Sequence, residues 1–379
     1  MLDRLAQTHP PSRFAHLGSN QIAYVAGLLD GDGSIQIYRS PARLPVFAVH
    51  VVISNTDRRI ADLLQGWWGV CKQRIVPPHG HSHLWACGLT GSAAADLLTR
   101  LTPYTVLKPA RVSLALDFHQ FTTSRPRRYR SADFIAEQRC FYTAMRMLNA
   151  RGLDRQELAL WDPLSPQLPD GLSARAPLFR TLLAEPPKWV PVKTVRTRTA
   201  TLRRTITVPP GVATEQAAYA AGLFDSEGHV SIRQNGGPGW RPNLILQVSV
   251  VNTDPRAVGW LQATFGGFVG RYPGSGAPRG RDRWLWVEQA SGAASFLRVV
   301  VPWLVAKRDR AEIAVAFQEA RNRARRTGPR THEVLTAQLE ARAQIRAMNA
   351  GLHKILQARA PRPSPRGRVG VSLVAGGPA

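Results

Sequence analysis

Hydrophobic and polar residues follow a helical period in some stretches of the chain and a strand period in others, and the same succession occurs twice. The first copy predicts helices over 21–32, 57–68, 91–101, 108–122 and 133–150, strands over 34–39 and 46–54, and a hairpin of 70–77 with 83–89. The second copy predicts helices over 216–227, 254–265, 290–301, 307–325 and 331–357, strands over 229–234 and 244–252, and a hairpin of 267–273 with 283–289. Each copy therefore belongs to the α+β class, with helices packed on a curved antiparallel sheet.

The second strand of each copy alternates in polarity, so its two faces can be assigned. The residues predicted to face the core are Phe47, Val49, Val51 and Ile53 in the first copy and Leu244, Leu246, Val248 and Val250 in the second. The opposite face carries His50 in one copy and Gln247 and Ser249 in the other. One side of each sheet is thus left relatively polar.

The two copies also share sequence. Residues 23–37 and 218–232 are identical at 8 of 15 positions, and later landmarks such as Lys108 and Lys307 recur in the same order. An internal repeat of this length predicts two subdomains related by a pseudo-twofold axis. The predicted organisation is an N-terminal extension (1–19), a first subdomain (20–153), a Pro-rich basic linker (154–214), a second subdomain (215–352) and a basic disordered tail (353–379).

The chain is strongly basic. Lys and Arg number 50 against 25 acidic residues, which gives a formal charge of +25 and an isoelectric point near 11.4. Such an excess favours a polyanionic partner, and nucleic acid is preferred to a membrane because no apolar run approaches the roughly 18 residues of a membrane span. The three cysteines have no CxxC spacing and no leader pattern opens the chain, so we expect a reducing location that is cytoplasmic (bacterial or phage-like) or organellar, and not secretion.

Small residues form a stripe along the first helix of each copy. Ala23 and Gly27 in one helix match Ala218 and Gly222 in the other, at a spacing of four that places each pair on one face. Such stripes let two helices approach closely. We therefore expect these two helices to pack against each other across the pseudo-dyad.

Both helices end in acidic residues, where the helix dipole already disfavours negative charge. If the helices lie side by side, Asp32 and Glu227 become neighbours, and their repulsion requires a proton or a cation. Magnesium suits such a site because it takes oxygen ligands and needs few protein carboxylates when phosphate oxygens and waters complete its shell. The pair predicts hydrolysis of two phosphodiesters, with one carboxylate for each DNA strand.

The segments VAGLLDGDG (25–33) and AAGLFDSEG (220–228) resemble the two motifs of single-chain LAGLIDADG homing endonucleases. The resemblance extends over both predicted subdomains, because the strand and lysine landmarks follow each motif. It implies a pseudo-twofold α+β fold with the motif helices at the interface. It also implies cleavage of DNA across the minor groove, with a double-strand break that leaves short 3′ overhangs, and a role in intron homing.

The same resemblance implies which residues form the site. The last acid of each motif, Asp32 or Glu227, would be a catalytic metal ligand. The backbone carbonyls between the acids, at Gly31 and Ser226, would help to hold the metal, which would be Mg²⁺ or another divalent cation such as Mn²⁺. The earlier acid of each motif would be structural.

The family also has a lysine near each active centre, which corresponds here to Lys108 and Lys307. Only six of the 50 basic residues are lysine, yet two of them occupy equivalent positions in the copies. A compact ammonium group can polarise a water or a phosphate oxygen in a way that arginine cannot, so a catalytic role is favoured for both. The alternative is that they are surface lysines at the starts of helices.

Each sheet is expected to enter the DNA major groove as a ribbon. The outward candidates for DNA contact are Ser34, Gln36, Tyr38 and His50 in the first half and His229, Ser231, Arg233, Gln247 and Ser249 in the second. Because these two sets differ, the target should be long and non-palindromic. The arginine-rich runs 125–130 and 321–326 are interpreted as phosphate contacts. The histidine-rich segment 79–83 is interpreted as a hairpin tip rather than a zinc site, because the second copy has no histidine there.

These features together predict a monomeric, magnesium-dependent endonuclease specific for double-stranded DNA, without an obligate protein partner. Two alternatives stay open. An intron RNA maturase built on the same fold would keep the basic surface but could dispense with cleavage. A DNA-binding relic that no longer cleaves would normally have lost one of the two acids, and both are present here.

Overall fold

The computed structural model describes residues 12–40, 46–70, 73–75, 83–124, 131–149, 212–235, 243–272, 282–327 and 331–350. Nearly all of the predicted linker, most of the N-terminal extension and the whole predicted tail lie outside these ranges, so their boundaries stay predictions. Within the described ranges, no helix is both long enough and apolar enough to cross a lipid bilayer.

The first half contains a motif helix, a four-stranded sheet and four further helices. In chain order they are α1 (Ser19–Asp32), β1 (Gly33–Arg39), β2 (Phe47–Asn55), α2 (Arg58–Trp68), β3 (Gln73–Ile75), β4 (Leu84–Thr90), α3 (Gly91–Leu101), α4 (Pro109–Thr123) and α5 (Ala132–Asn149). The sheet is antiparallel, in the order β1-β2-β4-β3. The predicted succession of elements is confirmed.

The second half repeats this arrangement. Its elements are α6 (Thr214–Glu227), β5 (Gly228–Asn235), β6 (Asn243–Asn252), α7 (Pro255–Phe265), β7 (Phe268–Tyr272), β8 (Arg283–Gln289), α8 (Ala290–Val300), α9 (Arg308–Thr327) and α10 (His332–Asn349). The sheet order, β5-β6-β8-β7, matches that of the first half. The prediction of a last helix reaching 357 is wrong, since α10 ends at Asn349 with Ala350 as its C-cap and a glycine, a common helix terminator, follows in the sequence.

Burial along β2 and β6 confirms the core faces predicted for these strands. All eight residues predicted to face inward are at most 6% exposed. The helices of each half cover this apolar face, while the opposite face of β2 is half-buried along its length. Each sheet therefore keeps one face that no helix of its own half fills.

The two motif helices, α1 and α6, pack directly against each other, as the stripes of small residues predict. A Cβ atom added at Gly27 or at Gly222 would lie 2.1 Å from a backbone carbonyl oxygen of the other helix. Ala23 and Ala218 in the same stripes are fully buried. The two helices thus touch backbone to backbone, and the two halves share one hydrophobic core.

Part of the N-terminal extension belongs to the folded first half. Phe14 and Leu17 are buried in its core. The Arg13 guanidinium donates a hydrogen bond from Nη2 to the carbonyl of Trp68, at 2.7 Å, at the end of α2. The described residues before α1 therefore cover the core beside that helix.

Candidate active site

The C-terminal ends of α1 and α6 lie side by side at the junction of the two halves. A Cβ at Gly31 would lie 2.4 Å from the Cβ of Ser226 and 3.4 Å from the Cγ of Glu227. Asp32 follows Gly31 at the last position of α1, and Glu227 holds the last position of α6. The structure thus brings together the two acids and the two intervening residues that the sequence selected.

The carboxylate of Asp32 is held by a side chain that the sequence reasoning did not select. Asn55, at the end of β2, donates from Nδ2 to Asp32 Oδ2 at 2.6 Å, and its Oδ1 accepts from the Asp57 N–H at 2.8 Å. Burial raises the pKa of Asp32, while the Asn55 hydrogen bond and the charges of the two nearby lysines oppose that rise. The repetition of this asparagine as Asn252 in the second copy was the signal that could have identified it.

The first acid of each motif lies within the protein and holds the chain. Asp30 is 3% exposed and accepts hydrogen bonds from the N–H groups of Val106 and Leu107, at 2.7 and 2.9 Å. The hydroxyl of Tyr219, from the other motif helix, donates to the same carboxylate at 2.8 Å. These bonds fix the turn that precedes Lys108 and also join the two halves.

Asp225 repeats this pattern in the second half. It accepts from the N–H groups of Val305 and Lys307, at 2.7 and 2.9 Å, and from the hydroxyl of Tyr24, at 2.8 Å. Desolvation raises the pKa of Asp225, and these hydrogen bonds and the Lys307 charge act against that rise. The structural role that the resemblance implies for the earlier acid agrees with these contacts.

Lys108 and Lys307 are half-buried, and each points its ammonium group at the C-terminal turn of the motif helix in its own half. Lys108 Nζ donates to the carbonyls of Asp30 and Gly33, at 3.0 and 2.7 Å, and also to that of Leu29. A positive charge at this place offsets the negative end of the helix dipole. Lys108 therefore stands at the start of α4, as the alternative has it, but it bonds the motif helix rather than extending into solvent, and its catalytic role stays a prediction.

Lys307 makes the equivalent contacts with α6. Its Nζ donates to the carbonyls of Phe224 and Asp225, at 2.7 and 2.6 Å, and more weakly to that of Ser226, at 3.4 Å. Burial lowers the pKa of both Lys108 and Lys307 to about 8, although the neighbouring carboxylates favour the charged form. Each acid of the junction thus has a desolvated ammonium group close by.

This donor set fits an open divalent-cation site rather than a closed one. Among the described residues, no three or more His, Cys, Asp or Glu side chains form a group that could hold a metal ion by themselves. Asp32 and Glu227 together with two helix-end carbonyls offer only oxygen ligands, which magnesium prefers. The carbonyl of Gly31 is not among those that Lys108 bonds, and the carbonyl of Ser226 accepts from Lys307 at the long distance of 3.4 Å.

The predicted DNA-contact residues of the first half lie on the open face of its sheet. Gln36 and Tyr38 are exposed, while Ser34 and His50 are half-buried. Gln36 Nε2 donates to Ser34 Oγ at 2.8 Å, and the Tyr38 ring meets the His50 ring edge-on. The four residues thus form two contacting pairs on one polar surface.

The second half exposes a different set on the corresponding face. His229 and Arg233 are exposed, and Ser231 is half-buried. Gln247 Oε1 accepts from Arg233 Nη1 and from the amide of Gln289, both at 3.1 Å. Gln289, which the sequence reasoning missed, therefore fixes the orientation of Gln247.

Ser249 is the exception among these residues. Its side chain is only 7% exposed, so the prediction that it lies open on this face is wrong. Ser249 is on the central strand β6, paired with His229 on one side and Val287 on the other. A short hydroxymethyl group between two larger neighbours is covered by them.

The basic and histidine-rich segments are described only in part. The run 125–130 and the histidines at 79 and 81 lie outside the described residues. In the run 321–326, Arg323 is exposed, but Arg321 is 4% exposed and donates to Asn243 Oδ1 at 3.1 Å. The interpretation of the whole run as phosphate contacts is therefore wrong for Arg321, which braces α9 against β6.

Comparison with known proteins places this architecture. The sequence matches no model of a protein family, and no curated protein is significantly similar to it in sequence. Among solved structures, I-SmaMI, a LAGLIDADG homing endonuclease bound to cleaved DNA, superimposes with a TM-score of 0.55 at 12% identity, over 87% of this chain and 97% of that one. The chain has the fold of a single-chain LAGLIDADG homing endonuclease.

Two further LAGLIDADG structures share this fold. I-GzeII in complex with its DNA target gives a TM-score of 0.55 at 10% identity, over 85% of this chain and 96% of that chain. I-AabMI bound to uncleaved DNA gives 0.54 at 14% identity, over 87% and 98%. The LAGLIDADG fold thus accounts for both halves and for the motif helices at their junction.

Proposed function

We propose that this protein is a monomeric, metal-dependent endonuclease that hydrolyses both strands of double-stranded DNA at a specific site. The observation that carries the proposal is the junction of α1 and α6, where acids from the two halves meet directly before the first strand of each sheet. A formal charge of +25 supports a nucleic-acid partner. The DNA-bound structures of the same fold support duplex DNA as that partner.

Asp32 and Glu227 would hold a divalent cation, Mg²⁺ or Mn²⁺, with help from the carbonyls of Gly31 and Ser226. Such a cation would supply Lewis-acid stabilisation of the phosphate and an activated water. The pair of acids near the pseudo-dyad provides one catalytic carboxylate for each strand.

The remaining residues of the junction prepare these acids. Asn55 orients the Asp32 carboxylate through a 2.6 Å hydrogen bond. Lys108 and Lys307 favour the charged form of Asp32 and place positive charge where negative charge develops on the reacting phosphate. Because both ammonium groups are already bonded to helix carbonyls, their role in the resting protein is electrostatic, and proton transfer would require them to move.

The open faces of the two sheets would read the target from the major groove. Gln36 and Tyr38 in the first half stand where the second half has Ser231 and Arg233. The two half-sites should therefore differ in sequence, which makes the target long and non-palindromic. The resemblance supports a product with short 3′ overhangs and a role in intron homing, and the cysteine pattern supports a cytoplasmic or organellar location.

Selection of cleaved sites from a randomised duplex library, with and without Mg²⁺, tests this function. We expect one long asymmetric site to be cut only in the presence of the metal. Asp32→Asn or Glu227→Gln should abolish double-strand cleavage while DNA affinity stays within about tenfold of the wild type, because metal ligation rather than binding is lost. Double-strand breaks at the wild-type rate in both variants would contradict the assigned site.

A structured intron RNA included as a competitor separates the endonuclease from the two alternatives. Preference for the RNA, with no duplex cut in magnesium, would favour a maturase. Tight binding of one duplex without any cleavage would favour a DNA-binding relic.

A further inference from the structure

Two arginines reach across the junction to the turns that carry the lysines. We name residues 105–108 and 304–307 the lysine loops of the first and second half. Arg256, on α7 of the second half, donates from Nη2 to the Leu107 carbonyl in the first lysine loop, at 2.8 Å. Arg59, on α2 of the first half, donates from Nη2 to the Ala306 carbonyl in the second lysine loop, also at 2.8 Å. Each contact falls on the residue directly before one of the two lysines.

Each of these guanidinium groups is fixed within its own half by an aspartate. Arg256 donates to Asp254 from Nε and from Nη2, at 3.0 and 2.5 Å, and Arg59 does the same to Asp57, at 3.1 and 2.9 Å. Two parallel hydrogen bonds to one carboxylate set the plane of the guanidinium. Both aspartates are also N-caps, of α7 and α2, so the forks are anchored to helix starts.

The other side of each lysine loop is bound by its own half. The N–H groups of Val106 and Leu107 donate to Asp30, while the carbonyl of Leu107 accepts from the opposite half. One peptide segment is thus held between its own motif helix and an arginine of the other subdomain. Lys108, the next residue, starts from this fixed segment and reaches the carbonyls at the end of α1.

We propose that Arg59 and Arg256 are positioning residues, and that each sets the lysine of the opposite catalytic centre: Arg59 sets Lys307, and Arg256 sets Lys108. The expected effect on cleavage rests on the proposed endonuclease function, whereas the hydrogen bonds between the arginines and the lysine loops do not. Removing one arginine should therefore impair one strand's cleavage, at the centre in the other half, rather than both. A contact that crosses the junction also makes each catalytic centre depend on correct docking of the two halves.

The two contacts differ in strength. Arg59 makes an additional ion pair with Asp309 at 3.0 Å, whereas the position that corresponds to Asp309 in the first half is Ala110. The Arg59 side chain is also more exposed than that of Arg256, 47% against 30%. Arg59 therefore has the additional partner, but Arg256 is the less exposed of the two, so water screens its contact with the lysine loop less and its replacement should have the larger effect.

Hydrogen exchange tests the contact in the full-length protein without DNA. In Arg256→Ala, the amides of the first lysine loop should exchange at least fivefold faster, and in Arg59→Ala, those of the second. Arg58→Ala is the matched control, because this neighbouring arginine of α2 contacts Asp62 and Trp85 within its own half. Arg256→Lys keeps the charge, but a lysine cannot bond Asp254 and Leu107 at once. It should therefore give the same faster exchange, and it takes the place of Arg256→Ala if that variant folds poorly.

Strand-resolved cleavage of a labelled duplex target tests the consequence. Lys108→Met and Lys307→Met first show which strand depends on each lysine. Arg256→Ala should slow the Lys108-dependent strand at least tenfold and Arg59→Ala the Lys307-dependent strand, so that each variant accumulates a nicked duplex. DNA affinity in calcium should stay within threefold of the wild type.

Several results would overturn this assignment. One is slower cleavage of the strand that depends on the lysine of the same half, and another is equal slowing of both strands. A third is loss of DNA affinity with a shallower salt dependence, because that result would make the arginines phosphate contacts. If the wild type cuts no duplex, the proposed endonuclease function fails, and hydrogen exchange alone decides the positioning role. Unchanged exchange in both lysine loops would then refute it.

Discussion

The seam between the motif helices allows a quantitative test with one added methyl group. In Gly27→Ala, the new Cβ would lie 2.1 Å from the Tyr219 carbonyl oxygen and 2.7 Å from the Leu223 nitrogen, where ordinary contact begins at 3.4 Å. Both atoms belong to the backbone, so no side chain can turn away. The helices would have to separate by about 1.3 Å, the difference between 3.4 and 2.1 Å. Overpacking of this kind costs about 1–3 kcal/mol or more.

Alanine favours the helix over glycine by about 1 kcal/mol, which offsets part of this cost. With overpacking at the upper end of its range, about 3 kcal/mol, the net loss of stability for Gly27→Ala should be about 2 kcal/mol. Thermal unfolding should then shift down by roughly 4–8 °C for domains of this size. Gly66→Ala in α2 is the matched control, because its Cβ would meet nothing within 4 Å and should leave stability equal or slightly higher. If Gly27→Ala melts at or above the wild-type temperature, the helices do not meet as described.

Three further predictions concern the acids and the DNA face. Gly31→Ala should destabilise the junction and slow cleavage, and Ser226→Gly should restore both, because the clash is with the Ser226 side chain at 2.4 Å. Without divalent cations, Asp32→Asn should raise the melting temperature at neutral pH. Burial raises the folded-state pKa of Asp32, so its charged form opposes folding at neutral pH, and the gain should vanish as the pH falls towards the ordinary aspartate pKa. Arg233→Ala should relax base preference on one side of the target only, whereas Arg323→Ala should weaken binding to all duplexes and lower the salt slope by about one, as a binding-site profile at several salt concentrations would show.

The element order and the meeting of the acids could be predicted because their signals are local and occur twice. Hydrophobic periodicity marks each helix and strand within a dozen residues. The stripe containing Gly27 and its repeat at Gly222 indicates a close helix pair, and the acids follow from where those helices end. Repetition made each of these inferences stronger, because a chance pattern would not recur in the same frame.

The contacts that join the halves could not be predicted in the same way. Tyr219 bonds Asp30 across 189 positions, and Arg256 reaches Leu107 across 149. No periodicity links such distant residues. Arg256 repeats Arg59 in a segment that the two copies share, but the repeat does not show that each arginine bonds the opposite half. The direction of the lysine side chains was also hidden, since a lysine before a helix is ordinarily exposed and only the folded chain shows Lys108 bonded to the end of α1. The prediction for Ser249 was wrong for a related reason. Alternation assigns a residue to one face of a strand, but its neighbours on the adjacent strands decide how exposed it is.

The placement of acid at the negative end of two helices is explained by the charge balance at the junction. The described residues there include four carboxylates, from Asp30, Asp32, Asp225 and Glu227, and two ammonium groups, from Lys108 and Lys307. The arginines beside them have aspartate partners as well: Arg256 pairs with Asp254, and Arg59 pairs with both Asp57 and Asp309.

The acids of the junction thus outnumber its ammonium groups, beside two negative helix ends, in a chain whose formal charge is +25. In the proposed reaction, the basic surface would attract the DNA backbone and the acids of the junction would attract the metal, so the two ligands would not compete for the same place. The free energy lost by burying the acids together would be recovered when the proposed cation binds between them, which would couple metal binding to the place where the two strands are cut.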